Sequence, residues 1–191
     1  MAITEQVQSQ LIDVHTNVLS DVASSEAMVK AYFQKTAGDW RSQRRYYTLK
    51  SEEVQEVESI LSIQFLDQGT LELQQLAEMH ALEDLGQMTS GLSITWESNY
   101  IGPSARKMKG STVFGVWQDN MYRDRGFATK KPVLAKFKLS ADTMILRTEY
   151  GGSRFEEEIK MVGNSYRTRQ TIISRAGEEQ MIGQYLERRI A

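Results

Sequence analysis

From Trp40 onward the chain is a succession of short runs rich in β-branched and aromatic residues, separated by polar turns. The runs lie at 40–50, 53–66, 90–99, 110–118, 120–128, 132–139, 143–150, 153–162, 165–174 and 178–189, which predicts ten strands. The turns "QDN" at 118–120, "SAD" at 140–142, "GGS" at 151–153, "GNS" at 163–165 and "RAG" at 175–177 are short enough to demand an antiparallel meander. So many strands in one open sheet would leave long unpaired edges, so the sheet should curl and close. The expected fold is mainly β: a ten-stranded antiparallel up-and-down barrel around a central cavity. A two-sheet sandwich is the alternative that the pattern leaves open.

Two helical patterns interrupt the strands. "SSEAMVKAYFQKTAG" places Met28, Val29, Tyr32 and Phe33 on one face, with Ser25 as a cap and Gly38 as a stop, which predicts a helix over 25–37. "TLELQQLAEMHALEDLG" repeats Leu71, Leu73, Leu76, Met79 and Leu82 near a 3.6-residue period and stops at Gly86, which predicts one short inserted helix over 70–86. Residues 1–24 are polar and Gln/Ser-rich, with Leu11, Val14, Val18 and Leu19 at roughly helical spacing. They read as an N-terminal extension, helical or loosely held, ahead of a single barrel domain over 25–191.

Several chemistries drop out. The absence of cysteine removes disulfides, thiolate catalysis and Cys-based metal sites. The two histidines, His15 and His80, fall in separate helical patterns with no ligand spacing around them, so no metal site is expected and both read as surface residues. A net charge of −2 gives no global basic field for nucleic acid. "RSQRRYY" at 41–47 interleaves basic and aromatic residues, but "SEEVQEVE" at 51–58 opposes it. No phosphate-cradle or dinucleotide fingerprint is present. No run of 18 apolar residues suggests membrane insertion, and the N-terminus lacks the basic-then-apolar pattern of a signal peptide. The expected location is cytosolic or inside an organelle.

Alternation along each strand sorts side chains onto two faces. Ser42, Arg44 and Tyr46 share one, Arg41, Gln43, Arg45 and Tyr47 the other. Leu92, Ile94 and Trp96 point one way, so Trp96 is a core residue or a ligand shelf. Gly115, between Val113 and Trp117, marks a bend or a close approach. Glu157 falls on the apolar side of its strand with Ile159 and Met161, where a carboxylate is costly unless paired. A hairpin centred near 163–164 sets Glu157 opposite Thr171 or Gln170 and diagonal to Arg169. Arg167, Arg169 and Thr171 therefore either line a charge-balanced pocket for an anion or face solvent, because parity alone does not say which face is in.

"AGDWRSQRRYYTL", "ITWES", "GSTVFGV", "YRDRGFAT", "LRTEY", "FEEEI" and "YRTRQTI" stand in the order and spacing of the CpcS/CpeS-type (S/U-type) phycobiliprotein lyases, over about residues 28–190. The chain resembles that family, and its final "MIGQYLERRI" is similar to the U-like branch. The resemblance implies a lipocalin-type, fatty-acid-binding-protein-like barrel and no prosthetic group. It also implies that the protein takes a bilin, such as phycocyanobilin or phycoerythrobilin, as substrate. The bilin would pass to a cysteine of an apo-phycobiliprotein (phycocyanin, allophycocyanin or phycoerythrin) as a thioether, in the cytosol of a cyanobacterium or the stroma of a plastid. It further implies that Arg44, Trp96, Arg167, Arg169 and Thr171 bind the bilin and that Glu157 is the pocket carboxylate with a catalytic role. Where many members carry a histidine pair after "SQR", this chain has "RYY". That departure fits a subunit acting with an S-type sibling, or a non-catalytic scaffold for it; the C-terminal strand would also permit a homodimer, and the fold and the arginines a carrier of another anionic hydrophobic ligand.

Overall fold

The computed structural model describes residues 25–103 and 105–190; the expectations for residues 1–24, His15 included, lie outside them. Ten antiparallel strands close into a barrel: β1 (Gly38–Thr48), β2 (Glu53–Asp67), β3 (Ser90–Ile101), β4 (Arg106–Trp117), β5 (Asn120–Arg123), β6 (Val133–Ser140), β7 (Thr143–Tyr150), β8 (Ser153–Val162), β9 (Tyr166–Arg175) and β10 (Glu178–Arg189). Closure is made by β1 pairing with β10, from Trp40 opposite Arg189 to Thr48 opposite Met181. No free edge separates two layers, so the sandwich alternative falls. The meander is held by turns that need left-handed residues, as at Gly151 (φ 59°) and Gly152 (φ 74°) between β7 and β8.

One strand is shorter than its residues suggest. The β pattern predicted over 120–128 ends at Arg123: Asp124 N still donates to Val113 O (3.3 Å), but its carboxylate, not its carbonyl, accepts from Val113 N (3.1 Å) and from Thr112 Oγ1 (2.6 Å). Residues 124–132 form the connection to β6.

Helix α1 covers 25–36. Ser25 is already inside it, so it is not the cap expected from the sequence. Val29, Tyr32 and Phe33 of α1 enter the main core with Trp40, Ile63, Leu92, Val116, Met144 and Met161, which places the helix across one end of the barrel. Burying each of these three side chains contributes roughly 2 kcal/mol. The end of the helix is tied down: Trp40 Nε1 donates to Thr36 O (3.0 Å), Tyr32 Oη to Ile159 O (3.0 Å), and Arg189 Nη2 to Lys35 O (2.6 Å).

Helix α2 (Leu71–Met79) stops well before Gly86. Its backbone turns at Ala81 (φ 52°), and Leu82 N reaches back to Ala77 O (3.0 Å). Leu82 and Leu85 nonetheless pack on the same apolar cluster as Leu73 and Leu76, so the periodicity tracked burial beyond the point where the helix ends. α2 lies on the outer face of β3 and β4, and its apolar side shares a cluster with Met88 and Tyr122. Gly115 is the close approach: a Cβ there would strike Met88 Sδ and crowd Leu73 and Leu76. His80 is not a bare surface residue. Its ring meets Tyr122 edge-on at 5.0 Å, and its Nε2 lies 3.0 Å from Arg123 O.

Candidate functional site

The wall residues divide as alternation requires. Arg41, Gln43 and Arg45 are exposed on the outside, while Trp40, Ser42, Arg44 and Tyr46 face in. On β9, Tyr166, Thr168 and Gln170 face out; Arg167, Arg169 and Thr171 face in. Glu157 is buried on the inner face of β8 and stands directly opposite Thr171. The solvent-facing reading of the β9 arginines is therefore excluded, and Arg44, Trp96, Glu157, Arg167, Arg169 and Thr171 all lie on one continuous inner wall.

The two β9 arginines differ sharply. Arg167 lies at the α1 end, its side chain 7% exposed, and its Nε donates to a Glu187 carboxylate that is 1% exposed. Its guanidinium also covers the Trp40 ring at 5.0 Å. Arg169 is 25% exposed, donates through Nη2 to Glu157, and lies over Tyr185 at 5.0 Å. A second guanidinium reaches Glu157 from the far side: Arg123 Nη1, at 3.3 Å. Arg44 Nε donates to Ser42 Oγ (3.0 Å), and its guanidinium lies 5.5 Å from the Tyr185 ring. Four guanidiniums thus converge where Glu157 and Glu187 pair with three of them, and Arg44 has no carboxylate within ion-pairing distance among the described residues.

Burial pushes the Glu157 carboxyl toward protonation, but Arg169 and Arg123 together outweigh that and hold it below the ordinary carboxylate range. Glu187 is held low in the same way, burial being overcome by Arg167. Glu157 is therefore an anion that can accept hydrogen bonds or face a cation; it has no proton to give near neutrality. The Tyr185 hydroxyl is pushed upward by burial and stays protonated. Arg123 Nε, Arg169 Nε and Thr148 Oγ1 are buried without a protein partner, so donors around Glu157 remain unspent.

The rest of the wall is apolar and incompletely covered. Ile94, Trp96, Phe114 and Ile159 pack against the core yet keep partial exposure at inward mid-strand positions. Trp96 stands opposite Gly110, whose missing Cβ gives the indole its room. A depression of about 570 Å³ lies along β1, β2, β8, β9 and β10; the inward Arg44, Arg169 and Tyr185 line it together with exposed residues such as Gln43, Glu58 and Gln170.

Arg123, Tyr185 and Glu187 carry as much of the site as the residues singled out from the sequence. Glu187 shares its inward face with Tyr185 and Gly183, although the apolar Ile182 and Leu186 of the same strand stand on the other parity. Arg123 gave no signal in the sequence, because it meets Glu157 across the barrel and not along a hairpin. Among the described residues no group of three His, Asp or Glu side chains is arranged to hold a metal ion, and no helix is long and apolar enough to cross a membrane.

Comparison with known proteins gives this geometry a context. The family model described as CpeS-like protein matches residues 28–190. The chain is 51% identical over 166 residues to a Nostoc sp. protein named "Putative phycocyanobilin lyase CpcS 2", covering 86% of this chain and 92% of the relative. It is 47% identical over 171 residues to a Picosynechococcus sp. protein named "Putative chromophore lyase CpcV", covering 88% and 85%. Among solved structures, the S-type phycobiliprotein lyase CPES from Guillardia theta shares the fold with a TM-score of 0.72 at 22% identity, covering 85% of this chain and 93% of that one.

Proposed function

The chain belongs to the CpeS-like family, and from that premise we propose that it is a bilin lyase, which holds an open-chain tetrapyrrole in its barrel and delivers it to a cysteine of an apo-phycobiliprotein. The observation that carries this reading is Arg44: an inward guanidinium with no carboxylate partner among the described residues, beside the partly accessible Arg169. A bilin brings two propionates, and guanidinium groups take carboxylates through paired, charge-assisted hydrogen bonds. Arg44 and Arg169 are placed to receive them. Arg167 gives its Nε to the buried Glu187 under α1, and in this reading it supports the wall. Trp96, Phe114 and Ile94 supply the apolar face for the conjugated rings.

Glu157 acts in this reading as a fixed anion. It can accept pyrrole N–H bonds or balance the charge of a protonated bilin, which favours the electron-poor form of the chromophore. In the bond-forming step the acceptor sulfur adds to the exocyclic ethylidene carbon of the A-ring. The C=C π bond breaks, a C–S bond forms, and the thiol proton ends on the adjacent ring carbon; no oxidant or reductant is needed. The protein's contribution is orientation: one bilin conformer, one exposed ring, one approach for the thiol. The reaction belongs where phycobiliproteins are assembled, the cyanobacterial cytosol or the plastid stroma.

Co-production of this chain with a bilin and an apo-phycobiliprotein subunit tests the reading, with denaturation-resistant covalent bilin as the readout. Adduct formed with this chain alone is the expected result. Adduct that appears only when an S-type sibling is present assigns the chain a scaffolding role, which the "RYY" stretch favours. A chain that takes up fatty acid and no bilin is a carrier of another anionic ligand.

A further inference from the structure

The connection between β5 and β6 carries Phe127 across one end of the barrel. β5 and β6 lie on the opposite side of the closed sheet from β1, yet the Phe127 ring reaches Tyr46 of β1, with centroids 6.4 Å apart, and Phe155 of β8 at 6.1 Å. The opposite end is filled by Val29, Tyr32 and Phe33 of α1, so Phe127 spans the end that α1 leaves open. The backbone that presents it is built for the purpose. Asp124 pins one side to Thr112 and Val113, Ala128 N donates to Tyr150 Oη (3.0 Å), and Gly126 N donates to Thr129 O (3.0 Å). At Gly126 a Cβ would sit 2.8 Å from the Tyr150 ring, so the loop is seated directly on that aromatic. Tyr150 in turn stacks on Phe155 at 4.5 Å.

Despite two aromatic neighbours on distant strands, Phe127 remains 44% exposed. A large apolar ring held over a mouth by a pinned backbone, and left half in water, has surface to bury against something that is not in the chain. The rings also continue inward. Tyr46 meets Tyr185 edge-on at 5.7 Å, and Tyr185 carries Arg44 and Arg169 on its faces. One aromatic path therefore runs from the rim to the guanidiniums.

We propose that Phe127, with Tyr46 and Phe155, forms an outer subsite that stacks on the terminal ring of a planar conjugated ligand whose carboxylates are held by Arg44 and Arg169. The inference rests on the bilin reading and adds a location: the reacting ring lies at the mouth, under Phe127, where a partner's thiol can reach it. The step served is the addition written above, and Phe127 fixes which face of the ring meets the sulfur.

Titration of wild type, Phe127→Ala and Phe127→Trp with phycocyanobilin, followed by visible absorbance and induced circular dichroism, tests it. Stacking on one aromatic ring corresponds to about three- to tenfold in affinity. The expected result is that loss for Phe127→Ala, a weaker induced dichroism band, and recovery of both in Phe127→Trp. The covalent adduct made with an apo-phycobiliprotein should also lose stereochemical uniformity with Phe127→Ala. An alanine variant with wild-type affinity, dichroism and adduct would overturn the subsite while leaving the bilin reading intact. A wild-type protein that takes up no bilin would overturn both. Because Phe127 is half exposed, truncation should leave the thermal midpoint nearly unchanged, and the tryptophan variant separates stacking from any loss of fold.

Discussion

Arg167 and Arg169 sit two residues apart on the same face of the same strand, and the barrel gives them opposite circumstances. At the α1 end, Arg167 is sealed between Glu187 and the Trp40 ring. One step toward the mouth, Arg169 shares Glu157 with Arg123 and keeps a quarter of its side chain exposed. A guanidinium in a dry place with its own carboxylate is part of the wall. A guanidinium at a wet boundary, with unspent donors beside an unpaired neighbour such as Arg44, is available to a ligand. On the proposed reading, the surroundings more than the residue type divide wall from ligand contact.

The largest effect should come from breaking the sealed pair. Glu187→Ala leaves a buried cation without its partner and is expected to lower unfolding free energy by about 3–5 kcal/mol, measured by urea denaturation. Bilin affinity of the remaining folded protein should change far less, and a larger loss of affinity than of stability would erase the contrast. Acid reads both pairs at once. Glu157 and Glu187 have folded-state pKa values held below the unfolded 4.5, so their stabilisation is complete above that value and is lost as pH falls through the folded values. Wild-type stability should therefore fall as the pH is taken below about 4.5. The double variant Glu157→Gln, Glu187→Gln should start lower and show a flatter profile; parallel profiles would mean that these pairs do not govern acid sensitivity.

Arg169→Ala tests the wet side. Losing a charge-assisted contact to a propionate should weaken bilin binding about ten- to hundredfold. Arg167→Ala should instead appear mainly as lost stability, and identical binding defects in the two would show that both arginines hold ligand. Gly110→Ala is a smaller perturbation: the new Cβ must displace the Trp96 ring, at about 1–3 kcal/mol of stability and with a shifted bilin absorption band. Arg45→Ala, on the outer face beside Glu56, should alter neither stability nor bilin binding measurably.

Much of this was legible in the residues because short turns fix register. "GNS" narrows the partner of Glu157 to Thr171 or Gln170, of which the ladder uses Thr171, and the diagonal to Arg169 follows from counting. The Arg167–Glu187 pair was not legible in the same way. The β9–β10 ladder slips by one residue between Glu179 and Met181, so counting back from "RAG" sets Leu186 opposite Arg167 and turns Glu187 outward. The bulge reverses that, and nothing in "EEQM" announces it. Arg123 was hidden for a different reason, since its partner lies three strands away and the curvature of the sheet brings them together. The early end of α2 escaped notice because Leu82 and Leu85 go on burying apolar surface after the helix has turned. In the first case the pattern could not see a shift of register, in the second a contact through space, and in the third a change of backbone under constant burial.

The pairing of β1 with β10 has a kinetic consequence. Trp40 and Arg189 are opposite one another, although almost the whole described chain lies between them. As the polypeptide leaves the ribosome, β1 and β2 can zip early, but β1 keeps one naked hydrogen-bonding edge until the last described strand arrives. Maturation of this barrel should therefore be gated by a late, non-local ring closure, and nascent chains are most vulnerable to intermolecular strand addition just before it.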